Sequence, residues 1–354
     1  MAEAKPRVSR DLEHLPAQVR AGERPKPPAS GRTGVVEAGL WHPVASCAEV
    51  GAAPVAARLL ERELVLWREP VAGVQAWADR CPHRGTRLSL GRNVAGRLEC
   101  AYHGWQFGAG GACRAIPALP DFAPGPAHAA EAYEASEAHG VIWVRLERSD
   151  ARVPEIDGGP ARRIVSGPHD VATSAPRVVE NFLDMSHFPF VHEGLLGDRR
   201  HAEVPHYDVT IADGRPVAPA YRAWQPQGRA GAAQGAWVDY RYEVLGPYSA
   251  VLFKQADAAQ AGAAPREAYA LWICPIAPEA SRVWFTHFTS DEHTPEAELR
   301  AFQDAIFVQD RPVIESQQPR RLPLSGGEAH SAADRLAVAY RRYLRELGIS
   351  FGVC

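Results

Sequence analysis

Two cysteines and two histidines lie close together in the segment CPHRGTRLSLGRNVAGRLECAYHGW, residues 81–105. His83 follows Cys81 and His103 follows Cys100, so each short loop offers one thiol and one imidazole, with 16 residues between the loops. Such loops suit a [2Fe–2S] cluster in which one iron keeps two thiolates and the other takes two imidazoles. A structural zinc site uses the same residue types, but normally pairs cysteine with cysteine and histidine with histidine. The mixed pairing favours the cluster over zinc.

A second group of metal-binding residue types lies in NFLDMSHFPFVHEG, which begins at Asn181. His187 and His192 are five residues apart, whereas neighbours on a regular helix are three or four apart. Pro189 between them is expected to break the helix, so that both imidazoles reach one ion. With one carboxylate they would form the 2-His-1-carboxylate triad of non-haem Fe(II) sites that activate O2. The alternative is a pair of core histidines, which the cluster upstream disfavours because its electrons need an acceptor.

The third ligand is predicted from a helical pattern over residues 295–318. Asp310 lies within an apolar stripe, where a carboxylate is costly unless it is paired or bound to a metal ion. Asp304 projects to the opposite, charged side and is expected in solvent near Arg300 and Arg311. Asp310 is therefore the predicted carboxylate ligand. The stripe consists of Leu299, Phe302, Ile306 and Val313.

Composition excludes several functional classes. The 354 residues carry a net charge of −3, which gives no basic field for nucleic acid. No apolar run reaches the roughly 20 residues that a membrane-spanning helix needs. The first 20 residues are charged and lack the apolar region of a secretory signal. We therefore expect a cytoplasmic protein that binds neither nucleic acid nor a membrane.

The chain divides into three predicted parts, and the fold class is α+β. Residues 1–39 are predicted to form a flexible N-terminal extension, because they are rich in Pro, Gly and charged residues and show little apolar periodicity. Residues 40–150 read as an all-β cluster domain, since short β-branched and aromatic runs alternate with turn residues. Residues 151–354 mix strands with helices and read as a catalytic domain. The strand patterns are at 237–245, 268–274 and 282–289, and the helical patterns are at 178–191, 295–318 and 331–347.

The segment 81–105 resembles the Rieske domain of the aromatic-ring-hydroxylating non-haem iron oxygenases. Respiratory Rieske proteins carry two more cysteines that form a disulfide, and the matching positions here are Thr86 and Tyr102. The resemblance thus implies an electron relay within an oxygenase. The segments QDRPVIESQQPRRLPL and AYRRYLRELGISFGVC resemble the branch of phenylpropionate- and vanillate-type oxygenases and guanidinium-toxin tailoring hydroxylases.

The same resemblance implies roles for two residues before the histidines. The spacing Asn181-x-x-Asp184-x-x-His187-x4-His192 is similar to the catalytic motif of that family. By resemblance, Asp184 links His103 of the partner subunit to His187, and Asn181 supports the site from nearby. Such a bridge implies a homo-oligomer, commonly a homotrimer. The resemblance also implies a helix-grip-like catalytic domain of antiparallel sheet and helices.

The predicted function is that of an oxygenase that hydroxylates or oxidatively demethylates a small organic substrate with O2. It implies a Rieske [2Fe–2S] cluster and a mononuclear Fe(II). GAGGAC at 108–113 is not a dinucleotide-binding motif, so NAD(P)H acts only through a separate reductase, directly or through a ferredoxin. The alternatives are a Rieske electron carrier with an accessory binding domain and a zinc-stabilised binding protein. Residues 200–270 are expected to wall the substrate pocket. The aromatic residues there either pack an aromatic or cationic ligand or belong to the core, and they are Trp224, Trp237, Tyr240 and Tyr242.

Overall fold

Short antiparallel strands build the N-terminal half of the chain, as their β-branched and aromatic composition predicts. The computed structural model describes residues 35–157, 160–227, 235–256 and 267–354. Most of the predicted N-terminal extension lies outside these residues. The strands of this half are β1 (His42–Ser46), β2 (Val55–Leu59), β3 (Arg62–Glu69), β4 (Gly73–Ala78), β5 (Arg92–Val94), β6 (Arg97–Glu99), β7 (Gln106–Phe107), β8 (Cys113–Ala115), β9 (Ala132–Ala138) and β10 (Val141–Arg145).

These strands form two sheets. One is six-stranded in the order β1-β10-β9-β4-β3-β2, and the other is four-stranded in the order β5-β6-β7-β8. The loop between β4 and β5 carries Cys81 and His83, and the loop between β6 and β7 carries Cys100 and His103. Edge-to-face packing of Trp67 and Trp77, at 5.0 Å between ring centroids, contributes to the core beneath these loops.

The C-terminal half consists of one large sheet with helices. Its sheet is antiparallel and seven-stranded, in the order β11-β17-β16-β15-β14-β13-β12. The strands are β11 (Arg162–Val171), β12 (Thr210–Ala212), β13 (Arg215–Gln225), β14 (Ala236–Gly246), β15 (Ser249–Ala256), β16 (Glu267–Ala277) and β17 (Ala280–Thr289). The helices are α1 (Ala175–Leu183), α2 (Phe188–Val191), α3 (Glu296–Ser316) and α4 (Arg335–Leu347). This α+β arrangement confirms the predicted fold class.

Local hydrogen bonds mark the start of the final helical segment, and a glycine ends it. The Ser331 hydroxyl accepts a hydrogen bond from the backbone N–H of Ala333, and Asp334 accepts one from the N–H of Ser331. A short 3₁₀ turn over these residues leads into α4. Gly348 ends the helix with φ of 72°, a left-handed conformation that glycine adopts without strain.

The single helix predicted over 178–191 is wrong. Helix α1 ends at Leu183, and Asp184 turns the chain into extended backbone with ψ of 130°. A new helix, α2, starts at Phe188 with Pro189 in its first turn, where the missing N–H of proline costs nothing. The break therefore precedes the two histidines instead of separating them, and α2 lies between His187 and His192.

Two apolar cores hold the sheets and helices together. One lies between the seven-stranded sheet and α1, α3 and α4, and includes Val179, Phe307 and Leu344. The other joins the two halves of the chain, since Trp143 of β10 packs edge-to-face on Trp272 of β16 at 5.1 Å. Among the residues described, no helix is long and apolar enough to span a membrane.

Candidate metal centres and substrate cavity

The two cysteine–histidine loops have the same backbone geometry. The N–H of Gly85 donates to the carbonyl of Cys81 at 2.9 Å, and that of Gly104 donates to the carbonyl of Cys100 at 3.0 Å. Both glycines have positive φ, 76° and 68°, which residues with a side chain adopt only with strain. Two matched turns thus present one thiol and one imidazole each.

The four side chains differ in exposure. Cys81 and Cys100 are buried, whereas His83 is half-buried and His103 is exposed. Burial raises the pKa of the Cys81 thiol to about 12, so loading a metal must displace its proton. Burial and the nearby charges of His103 and Arg84 lower the pKa of His83, which favours the neutral imidazole that a metal needs.

The four side chains converge in like pairs. The rings of His83 and His103 lie 4.6 Å apart between centroids, and Cys100 lies close enough to Cys81 to contribute to its raised pKa. Two thiols and two imidazoles are the donors of a [2Fe–2S] cluster in which one iron is bound by histidines. The residue types of the four side chains therefore fit such a cluster.

The second centre gathers its ligands from α2 and α3. His187 precedes the first residue of α2 and His192 follows its last, so the short helix sets both imidazoles on one side. Their Nε2 atoms are 3.2 Å apart, and Oδ1 of Asp310 lies 3.4 Å from His187 Nε2 and 3.1 Å from His192 Nε2. Adjacent ligands of an octahedral ion lie about 3.0 Å apart when the bonds are about 2.1 Å. The three atoms thus have the spacing of a facial triad.

The outer nitrogens of both rings are held by acceptors. Nδ1 of His187 donates to Oδ2 of Asp184 at 3.1 Å, and Nδ1 of His192 donates to Oε1 of Gln309 at 2.9 Å. These bonds place the ring hydrogens on Nδ1 and leave both Nε2 lone pairs facing Asp310. The two Nε2 atoms and Oδ1 of Asp310 therefore converge as three acceptors, with no ring hydrogen between them. A cation would stabilise this arrangement. The donor set therefore fits a divalent metal ion.

The charge of the site agrees with this conclusion. Burial works to lower the pKa of His192, but the contacts of its ring with Asp310 and Gln309 outweigh burial and raise it. The surroundings of His192 thus favour a positive charge, which a bound metal ion also supplies.

Asp184 is held as a carboxylate beside the metal site. Its Oδ1 accepts hydrogen bonds from the Ser186 N–H at 2.8 Å and hydroxyl at 2.5 Å. Burial works to raise the pKa of Asp184, and hydrogen bonds from His187 and Ser186 outweigh it, so the pKa is lowered. His187 lines both the substrate cavity and a surface groove, whereas Asp184 lines the groove alone. The carboxylate and the imidazole of His187 therefore both face this groove.

Two amides support the site, and the sequence identified one of them. Nδ2 of Asn181, from α1, lies 3.4 Å from Oδ1 of Asp310. Gln309 was missed. The available signal was a polar residue next to the proposed ligand Asp310 on the same helix, but nothing in the sequence indicates that it contacts His192.

The helical projection of α3 was only partly right. Its buried positions are three to four residues apart, as expected for one helix face, but Val313 is 42% exposed. The Asp304 side chain is 37% exposed, as expected, but it contacts Nε2 of His169 at 3.0 Å. Arg300 pairs instead with Glu296, and Arg311 with Glu315. Pro312 lies within α3 and does not end it. The buried face consists of Leu299, Gln303, Phe307, Asp310 and Ile314.

A cavity that is partly open to solvent adjoins His187, His192 and Asp310. Its wall is mostly apolar and aromatic, and includes Phe182, Phe285 and Phe302. Two polar side chains interrupt this wall, namely Gln303 on α3 and Lys254 on β15. Such a cavity suits a small, largely apolar ligand with a few polar atoms.

The predicted pocket aromatics are mostly not in this wall. Tyr240 lines the cavity, but Trp224 and Trp237 pack on each other at 5.8 Å and on His201. Tyr242 is fully buried under Tyr240. Trp237 lies on the face of β14 opposite to Tyr240, whereas Tyr242 shares the face of Tyr240 but does not reach the cavity. Composition alone does not reveal these differences.

Comparison with known families matches both halves of the chain. Residues 40–130 match the family described as Rieske [2Fe-2S] domain. Residues 171–348 match the family described as Vanillate O-demethylase oxygenase C-terminal domain. The first match contains the cysteine–histidine loops, and the second contains the His187, His192 and Asp310 triad.

Several known proteins are similar over most of the chain. Methylxanthine N1-demethylase NdmA of Pseudomonas putida is 33% identical over 321 residues, which cover 87% of this chain and 88% of NdmA. The structure of NdmA with caffeine has a TM-score of 0.77 at 28% identity, over 88% of this chain and 91% of that one. Dicamba monooxygenase bound to dicamba shares the fold, with a TM-score of 0.72 at 22% identity. This match covers 88% of this chain and 97% of dicamba monooxygenase.

Oxidoreductase NdmD of Pseudomonas putida is similar over a shorter stretch. It is 41% identical over 108 residues, which cover 30% of this chain and 18% of NdmD.

Proposed function

The chain belongs to the Rieske non-haem iron oxygenases, and from that premise we propose that it oxidatively demethylates a small, methylated ring compound. It is the oxygenase component of such a system, with a Rieske [2Fe–2S] cluster and a mononuclear iron, and its electrons come from a separate reductase. The observation that carries the proposal is the convergence of three ligand atoms at the wall of an aromatic cavity.

Each residue of the two centres receives a proposed role. Cys81 and Cys100 would hold one iron of the cluster, and His83 and His103 the other. His187, His192 and Asp310 would hold the mononuclear iron. When bound, the two groups supply single-electron transfer and O2 activation, respectively. The chain itself keeps Nε2 of both triad histidines free of hydrogen, through Asp184 and Gln309.

We place Asp184 between subunits of a homotrimer. Its carboxylate lies in a groove at the surface and hydrogen-bonds to His187, so a donor from outside could reach it. His103 is exposed and can offer such a donor from the partner subunit. The bridge would connect the cluster of one subunit with the iron of the next through two hydrogen bonds.

The substrate class follows from the cavity and from the relatives. NdmA acts on methylxanthine, a methylated heteroaromatic ring. In this chain the aromatic wall would stack such a ring, and the amide of Gln303 could donate to or accept from its heteroatoms. The ammonium of Lys254, 3.7 Å from Glu267, would favour a carbonyl or other acceptor on the ring.

Demethylation has a stoichiometry that can be checked. An N- or O-methyl group, O2, two electrons and two protons yield the free N–H or O–H, formaldehyde and water. Hydroxylation of a ring carbon consumes the same O2 and electrons but releases no formaldehyde. The ratio of formaldehyde to O2 therefore separates the two reactions.

The test is a panel of ring compounds assayed with NdmD as a surrogate reductase. N-methylated heteroaromatics, aromatic methyl ethers and their unmethylated counterparts are compared for O2 uptake and formaldehyde. We expect one methylated class to give about one formaldehyde per O2 consumed, and its unmethylated counterpart to give none. Substrate-dependent O2 uptake with a hydroxylated ring product and no formaldehyde would overturn demethylation but not the oxygenase.

The alternative, an electron carrier with an accessory domain, fits the molecule less well. A carrier has no use for a buried triad of two imidazoles and one carboxylate at a cavity wall. A cytoplasmic location and a ferredoxin between reductase and oxygenase remain our expectations for the system.

A further inference from the structure

A continuous row of aromatic rings leads from one cluster ligand to the protein surface. The ring of His83 is stacked on Trp105, with centroids 4.6 Å apart and planes within 4°. Trp105 lies 5.8 Å from the ring of His128, and His128 lies 5.2 Å from Phe122. Phe122 is exposed. Each step is within the range of contacting rings, so no gap separates His83 from the surface.

The two histidine ligands face different surroundings. His103 has Tyr102 at 3.7 Å between centroids, and both are exposed. His83 instead has Trp105 on its face and is half-buried. A relay needs one route in and one route out, and His103 is already assigned to the route towards Asp184 of the partner subunit. The second imidazole is left for the incoming electron.

The outer end of the row lies on a loop that exposes two large apolar residues on either side of Pro120 and Asp121. Leu119 and Phe122 are large apolar residues that are 59% and 43% exposed, three positions apart in successive backbone turns. The loop packs against the second cluster turn. A Cβ atom added at Gly104 would lie only 3.2 Å from Cγ of Pro117. Exposed apolar pairs of this kind are typical of protein contact sites.

Positive charge lies beside the first cluster turn. Arg84 is exposed and acts on the pKa of His83, and Arg80 is exposed and lies beside Gly85. A surface with apolar residues at its centre and cations nearby attracts a partner with an acidic rim. Ferredoxin-like electron carriers of reductases are the partners that a cluster in this position must meet.

We propose that electrons enter the cluster through His83, along Trp105, His128 and Phe122, and that the loop with Leu119 and Phe122 docks the acidic electron-carrying domain of the reductase. The inference rests on the proposed cluster ligands. One electron leaves the reductase's carrier, which is oxidised, and one ferric ion of the cluster is reduced to ferrous. Separate surfaces for the reductase and for the partner subunit allow both contacts at once.

The route is tested without a reductase. The exposed native thiol is removed with Cys354→Ser, and a ruthenium photosensitiser is attached to Leu119→Cys or, as a control, to Val71→Cys, which is 94% exposed on the β3–β4 turn. A light flash with a sacrificial donor then injects one electron, and bleaching of the cluster absorption is timed. The readout is the rate of cluster reduction, not substrate turnover.

We expect Trp105→Leu to slow reduction from the label at position 119 by about tenfold or more, and Trp105→Phe to slow it less. Reduction from position 71 should not respond to either change. Equal rates in wild type and Trp105→Leu, with absorption spectrum and midpoint potential unchanged, would overturn the route. Absence of the cluster from the wild-type protein would instead overturn the proposed ligands.

Docking is tested at the surface, where the variants do not touch the cluster ligands. Leu119→Ser with Phe122→Ser should lower the second-order rate of reductase-driven bleaching about tenfold, with dithionite reduction unchanged. NdmD is the first reductase to use, and any reductase that bleaches the wild-type cluster serves. Val71→Ser is the control and should keep the wild-type rate. A wild-type rate in the double variant would overturn the docking site.

Discussion

Gln309 and His192 are joined by a hydrogen bond of 2.9 Å from Nδ1 of the imidazole to the amide oxygen. The bond fixes the ring so that Nε2 faces Asp310 at 3.1 Å. An amide that lies one residue before a proposed ligand thus determines which nitrogen of another ligand is free. Orientation of this kind tunes metal affinity as much as the ligands themselves do.

Gln309→Leu should weaken mononuclear iron binding by about 10–100-fold, because the His192 ring loses its acceptor and can turn. The measurement is an iron titration of the metal-free protein, with the cluster absorption as an internal reference. Val308→Ala, at a neighbouring position that is 62% exposed, is the matched control and should bind iron normally. Unchanged iron affinity in Gln309→Leu would show that packing alone holds the ring.

Asp184→Asn should keep the cluster and most of the mononuclear iron but lose nearly all substrate oxidation. The amide no longer offers two acceptor oxygens, so only one of the two proposed histidine contacts can be kept. In single-turnover experiments the reduced cluster should pass its electron to the iron very slowly. Ser186→Ala, which removes a hydroxyl bond to Asp184 but not the carboxylate, should retain most of this rate. A normal rate in Asp184→Asn would remove the argument for a subunit ring.

Glu328 should make folding stability depend on acidity. It lies 2.6 Å from Arg177 and 2.5 Å from Arg341, whose side chains are almost fully buried. Burial works to raise the pKa of Glu328, but the two guanidinium groups outweigh it and hold the pKa below the ordinary range. Its stabilisation is therefore present above the unfolded pKa of about 4.3 and is lost as pH falls through the folded pKa.

Glu328→Gln should lower the free energy of unfolding at pH 7 by about 1.5–3 kcal/mol and flatten its decrease below pH 5. Urea unfolding at pH 7 and at pH 4 measures both effects. Glu346→Gln, which breaks an exposed pair with Arg342, should leave the free energy of unfolding nearly unchanged. If the free energy of unfolding falls as steeply with acid in Glu328→Gln as in wild type, other carboxylates cause the acid dependence.

Local patterns were sufficient to predict most elements and to propose the two ligand sets. Ser331 and Asp334, which cap the turn before α4, are three residues apart. Each cluster-turn glycine follows its cysteine by four residues, so the geometry of these features follows from local chemistry. Asp310 was selected because a carboxylate on a buried helix face needs a partner. These inferences used information that lies within one helix or one loop.

Contacts between distant segments were not predictable in the same way. His169 is 135 residues from Asp304, and only the packing of β11 against α3 brings them together. The partner of His192 lies 117 residues away on a helix whose rotation the apolar residues did not fully define. The break at Asp184 was also missed, because a break at Pro189 was sufficient to account for the spacing of the histidines.

The central claim is that the chain holds two separate iron centres, with Asp310 a ligand of only one. Counting iron and acid-labile sulfide per chain in wild type, Asp310→Ala and Asp304→Ala tests it most directly. We predict about three irons and two sulfides for wild type and for Asp304→Ala, and about two irons and two sulfides for Asp310→Ala. Three irons in Asp310→Ala, or loss of iron in Asp304→Ala alone, would contradict the account.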